Sequence, residues 1–71
     1  MMIIGKKIKN MREIANLSQI ELAEKIGITQ SAISHLEKGD ISPSIATLQK
    51  IANSLNCSIT ELLNENSLIK H

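Results

Sequence analysis

Apolar residues recur along the chain at helical intervals, interrupted at regular points by turn-forming residues. Ile4, Ile8, Met11 and Ala15 are spaced four, three and four apart. This predicts an amphipathic helix over about residues 4–15, with Lys6, Lys9, Asn10 and Glu13 on its wet side. Asn16 and Leu17 break the pattern, and Ser18 followed by Glu21 has the form of a capping box, so a second helix starts at Gln19. It buries Leu22, Ala23 and Ile26 and stops at Gly27. Only Gly27 and Ile28 separate it from Thr29, the N-cap of a third helix that seats Ala32, Ile33 and Leu36 and ends at Gly39. Two short helices joined by so brief a turn cross steeply, as in a helix-turn-helix.

Asp40-Ile41-Ser42-Pro43 reads as a loop. Ser44 then caps a fourth helix whose inward positions are Leu48, Ile51, Ala52 and Leu55, ended by Asn56 and Cys57. Ser58 and Glu61 form a second capping-box candidate, opening a short fifth helix through Leu62 and Leu63. Residues 64–71 read as a frayed tail. The pattern contains no repeat, no low-complexity tract and no strand-like alternation. It predicts an all-α fold in a single domain over 1–71, with its core at about 4–63.

The third helix is organised differently from the rest. Stepping about 100° per residue places Gln30, Ser34, Lys38, Ser31 and His35 on one arc of roughly 140°, opposite the apolar wedge. A helix built only for solubility would carry Glu and Lys there. Amides, hydroxyls and an imidazole both donate and accept, which suits reading the edges of base pairs.

Composition narrows the possibilities. The chain is 42% hydrophobic and wholly aliphatic, with no Phe, Trp or Tyr. Without aromatic rings there is no platform on which unpaired bases could stack, which argues against an RNA-recognition sheet or a single-strand binder. The net charge of +1 says little. Its distribution says more, because Lys6, Lys7, Lys9 and Arg12 precede any acidic residue and make a basic patch a candidate feature. The lone Cys57 has no partner for an internal disulfide, and no apolar run approaches the ~20 residues that span a bilayer. The start, Met1-Met2-Ile3-Ile4, is too short for a signal-peptide core, so a soluble, reducing compartment is expected. His35 lacks a second ligand at metal-binding spacing, His71 being in the tail, and Cys57 lacks a nearby base. No paired-carboxylate, phosphate-loop or Ser/His/Asp arrangement points to an enzyme, and no cofactor is implied.

The stretches Ser18-Gln19-Ile20-Glu21-Leu22-Ala23, Gly27-Ile28-Thr29-Gln30-Ser31-Ala32-Ile33-Ser34 and Leu36-Glu37-Lys38-Gly39, with Ser58-Ile59-Thr60-Glu61-Leu62-Leu63 after them, carry a resemblance. The chain resembles the phage-repressor and Cro-like family of helix-turn-helix regulators over about residues 4–63. That resemblance implies a compact five-helix, lambda-repressor-like DNA-binding domain with the helix-turn-helix in helices 2 and 3. It implies a recognition helix over 29–38 in the major groove, with Gln30, Ser31, Ser34 and His35 toward the bases. Gln30 has a physical case of its own, since glutamine pairs bidentately with adenine N6 and N7. Ser18, Gln19, Lys38 and Ser42 match positions that contact phosphate, and helix N-termini such as that at Gln19 favour anions in any case. Arg12 and Glu37 match an ion pair tying the first helix to the end of the third.

The expected partner is double-stranded DNA carrying an inverted repeat, bound by a homodimer in a bacterial cytoplasm, the gene being bacterial or prophage-borne. Leu62, Leu63, Leu68 and Ile69 are the candidate dimer surface. The regulator would more readily repress than activate. The same fold also serves as an antitoxin, in which case those four residues would hold a small partner protein. A dimerisation module that no longer binds DNA is a further alternative, against which the polar arc argues. His35 and Ser31 stand where the family commonly has an amide or a basic residue, which leaves the operator open.

Overall fold

Among the described residues, 4–63 of the computed structural model, five α-helices follow one another. They are α1 (Ile4–Ile14), α2 (Gln19–Ile26), α3 (Gln30–Lys38), α4 (Ile45–Ser54) and α5 (Ile59–Leu63). Their boundaries are set locally. Ser18, Thr29 and Ser44 each accept, on the side-chain oxygen, the backbone N–H three residues on, satisfying a donor that the first turn leaves without a helical partner. Ser18 with Glu21, and Ser58 with Glu61, close this reciprocally, the glutamate accepting the cap residue's own N–H. At the opposite ends Gly27 and Gly39 take the left-handed conformation, with φ of 77° and 87°. Asn16 and Asn56 do the same after α1 and α4, at φ of 63° and 58°, a region asparagine tolerates better than most residues.

Every helix gives side chains to one aliphatic core. Ile8 enters from α1, Leu22, Ala23 and Ile26 from α2, Ile33 and Leu36 from α3, Leu48, Ile51 and Ala52 from α4, and Leu62 from α5. Each large side chain so buried contributes about 1.5 to 3 kcal/mol against leaving it in water. Helix α2 packs on α3 and α4, while α1 lies against α3 and α5. The two-residue turn after α2 therefore rests on a frame supplied by the other three helices.

Three details differ from the sequence pattern. Helix α1 ends at Ile14, and Ala15 lies exposed in the turn, because the chain reverses at Asn16 before the fourth apolar position can face the core. The basic cluster does not form a common patch. Lys6 and Lys9 are exposed, but Lys7 is only 1% exposed and donates through Nζ to the carbonyl oxygen of Glu61 at 2.6 Å, while Arg12 is turned inward. The amine of Lys7 thus joins α1 to the last carbonyls of α5, where a cation is favoured. Leu62, expected at a partner surface, is buried in the chain's own core, whereas Leu63 is 55% exposed. Leu62 and Leu63 point in different directions because a helix turns about 100° between them. Leu68, Ile69 and the tail at 64–71 lie outside the described residues.

Cys57 is partly buried against the core, and desolvation, followed by the Glu61 charge, pushes its thiol pKa above the ordinary value. That environment suits a small apolar residue rather than a nucleophile. Among the described residues no helix is long and apolar enough to cross a membrane. Nor is there, among them, a group of three or more His, Cys, Asp or Glu that could hold a metal ion.

Candidate nucleic-acid interface

The outer face of α3 is built by the caps and core already described. With Ile33 and Leu36 locked inward, the helix can present only its other side, and Gln30, Ser31, His35 and Lys38 are exposed there, with Ser34 half-buried between them. Ser18 and Ser42 are also exposed, and Gln19 is half-buried. Ser18 spends one hydroxyl lone pair on its capping bond and keeps its proton to donate.

Beneath this face runs a chain of hydrogen bonds that joins three helices. The Arg12 guanidinium donates from Nε to Glu37 Oε2 at 2.7 Å and from Nη2 to Oε1 at 3.2 Å. Its Nη1 donates to the carbonyl of Leu17 at 2.7 Å, so the same side chain holds the α1–α2 turn. Glu37 Oε1 also accepts from Gln19 Nε2 at 3.0 Å, and Gln19 Oε1 in turn accepts from Gln30 Nε2 at 3.2 Å. The Arg12 and Glu37 side chains are 9% and 4% exposed, which makes this a buried pair rather than a surface one. The hydrogen bonding of Arg12 to the Glu37 carboxylate raises the guanidinium pKa above its ordinary value, against the desolvation that lowers it, so the guanidinium stays charged throughout the working range.

This network has a chemical consequence for Gln30. An amide can sit in two orientations that exchange its oxygen and nitrogen. Because a carboxylate only accepts, Glu37 fixes the Gln19 amide with nitrogen inward and oxygen outward, and that oxygen fixes the Gln30 nitrogen. Gln30 keeps a second N–H and its carbonyl oxygen, the pair of groups that adenine N7 and N6 require. Arg12 is too enclosed, and too committed to Glu37 and Leu17, to serve as a phosphate contact as well.

Gly5 is the residue that sequence reasoning passed over. A Cβ placed there would fall within contact distance of the Leu36 carbonyl oxygen and 2.8 Å from that of Glu37. Helix α1 therefore lies directly on the backbone of the last turn of α3, and only glycine permits the approach. A second unpredicted contact lies at the far end of α3, where His35 Nδ1 is 3.0 Å from Asp40 Oδ2.

Comparison with known proteins agrees with the fold. A helix-turn-helix family model matches residues 8–62. The chain is 33% identical over 69 residues to the immunity repressor protein of Bacillus phage phi105, covering 97% of this chain and 48% of the repressor. It is 31% identical over 67 residues to the antitoxin PezA of Streptococcus pneumoniae, covering 94% of this chain and 42% of the antitoxin. The crystal structure of SinR, a master regulator for biofilm formation, in complex with DNA superposes with a TM-score of 0.83 at 38% identity, covering 87% of this chain and all of that one. This chain spans less than half the length of the two curated relatives.

Proposed function

The chain belongs to the helix-turn-helix family, and on that premise we propose that it is a sequence-specific binder of double-stranded DNA that regulates transcription, as a repressor. The observation that carries the proposal is the fixed polar face of α3, whose lead residue, Gln30, is oriented through Gln19 and Glu37 by a buried guanidinium. In this reading α3 lies in the major groove with Gln30, Ser31, Ser34 and His35 toward base edges, while Ser18, Gln19, Lys38 and Ser42 meet phosphates. The SinR complex supports this reading, since a related chain of the same shape holds DNA.

One recognition helix buries too little surface for tight binding, so the protein acts as a homodimer on an inverted repeat in the bacterial cytoplasm. Leu63 is the exposed apolar side chain of α5 open to a second copy, with Leu68 and Ile69 as further candidates. The likeness to an antitoxin supports a second reading, in which the same residues take a small protein partner. A small protein that co-purifies from native lysate and is released by Leu63→Asp would favour that reading.

The test of base readout compares two variants on the preferred site and on random DNA. Gln30→Ala is expected to cost about 1 to 3 kcal/mol on the preferred site and to relax choice at one position. Lys38→Ala is expected to weaken all sequences alike and to reduce the slope of log affinity against log salt by about one unit. Equal losses from both variants on specific and random DNA would contradict the assignment.

A further inference from the structure

We propose that Asp40, a loop residue outside the recognition helix, determines which base His35 reads by holding its imidazole in a single tautomer. The inference rests on the reading of α3 as the helix that meets base edges. It starts from the way the helix ends. Gly39 turns the chain back, its N–H donating to the carbonyls of His35 and Leu36, and the N–H of Asp40 donates to the His35 carbonyl at 3.0 Å. This is the paired-bond ending of a helix in which a left-handed glycine is followed by a residue folded over the last turn.

Asp40 is thereby bonded to His35 twice, through its backbone N–H and through its carboxylate, which lies 3.0 Å from Nδ1. An ionised carboxylate accepts only, so the proton between the two groups belongs to Nδ1. In a neutral imidazole the other nitrogen, Nε2, then has a lone pair and no proton. The ring is half exposed, and the edge that it offers DNA is an acceptor.

Major-groove chemistry converts this into a base preference. Adenine N6 and cytosine N4 present donors there, whereas guanine N7 and O6 and thymine O4 present acceptors. A ring held as the Nδ1–H tautomer accepts from adenine or cytosine and meets guanine or thymine with lone pair against lone pair. Without Asp40 the proton is free to sit on Nε2, and the same ring can donate to guanine or thymine. Asp40 is thus a positioning residue that gives direction to a side chain otherwise indifferent between donors and acceptors.

The experiment selects duplexes from a random pool at pH 8.5, using wild type, Asp40→Ala and His35→Ala. Wild type is expected to favour adenine or cytosine about tenfold at one position of each half-site. Asp40→Ala is expected to bring that position near parity and to leave the others unchanged. Selection reports only molecules that fold and bind, so the other positions serve as the internal control. In the free protein, imidazole 15N spectra are expected to show Nδ1–H in wild type and to move toward Nε2–H in Asp40→Ala. If His35→Ala loses the preference and Asp40→Ala keeps it, the inference fails while the reading of His35 stands. If His35→Ala leaves the selected site unchanged, His35 does not read a base and the inference about base choice falls with it.

Discussion

Replacing Glu37 by alanine is expected to remove about 3 to 5 kcal/mol of stability, the cost of leaving one member of a buried ion pair behind. For a chain of 71 residues the whole folding free energy is only about 4 to 10 kcal/mol, so much of the population would unfold near body temperature. The figure for a buried pair applies because both side chains are enclosed and the guanidinium would keep only the Leu17 carbonyl and the more distant, exposed carboxylate of Glu13, 4.0 Å away. An exposed pair would give less than about 1 kcal/mol. Arg12→Met combined with Glu37→Leu is expected to recover about half of the loss, since no charge is then stranded. Recovery is incomplete because Gln19 and Leu17 lose partners as well. DNA affinity should not return with stability, because the Gln19 and Gln30 amides are no longer oriented. A double-mutant cycle by thermal unfolding measures the coupling, and a value near zero would mean that the two side chains do not meet.

The second large effect is expected at Gly5, where two accounts disagree in sign. Helix propensity alone predicts that alanine in the first turn of α1 stabilises, by at most about 1 kcal/mol. Packing predicts the reverse, because the new methyl would meet two backbone carbonyl oxygens of α3, and backbone cannot rotate away as a side chain can. Overpacking of this kind costs about 3 kcal/mol. Set against the propensity gain, the net loss is about 2 kcal/mol, and at about 4 to 8 °C per kcal/mol the melting temperature should fall by about 8 to 16 °C. An unchanged or higher melting temperature would show that α1 does not rest on the last turn of α3. DNA binding should weaken too, since that turn carries Lys38 and leads into Ser42.

Much of the fold was legible because its signals are local. Ser18, Thr29, Ser44 and Gly27 act on residues within four positions of themselves, and the spacing of Leu22, Ile26, Ile33, Leu48 and Ile51 needs nothing beyond one helix to be read. What escaped reading depends on contacts across the chain. Lys7 reads from the sequence as part of a basic patch because its acceptor, the Glu61 carbonyl, lies 54 residues away and carries no side-chain signature. Gly5 fitted the helix pattern, and its need for a bare Cα follows only from the position of α3. The polar arc of α3 could be drawn from periodicity, but the hydrogen bonds that orient it run through Gln19, on another helix. Asp40 passed for a loop residue because its bond to His35 exists only once the chain has folded back at Gly39.

The central claim, that α3 reads duplex DNA, is tested most directly by selecting bound duplexes from a random pool with the wild-type chain and following affinity against salt. The account predicts an inverted repeat whose half-sites are centred about 10 base pairs, or roughly 34 Å, apart on one face. Binding to it should exceed that to random duplex by about a thousandfold or more at physiological salt. A selected pool with no common sequence, or a site with a single unrepeated half bound as tightly as any longer one, would contradict it.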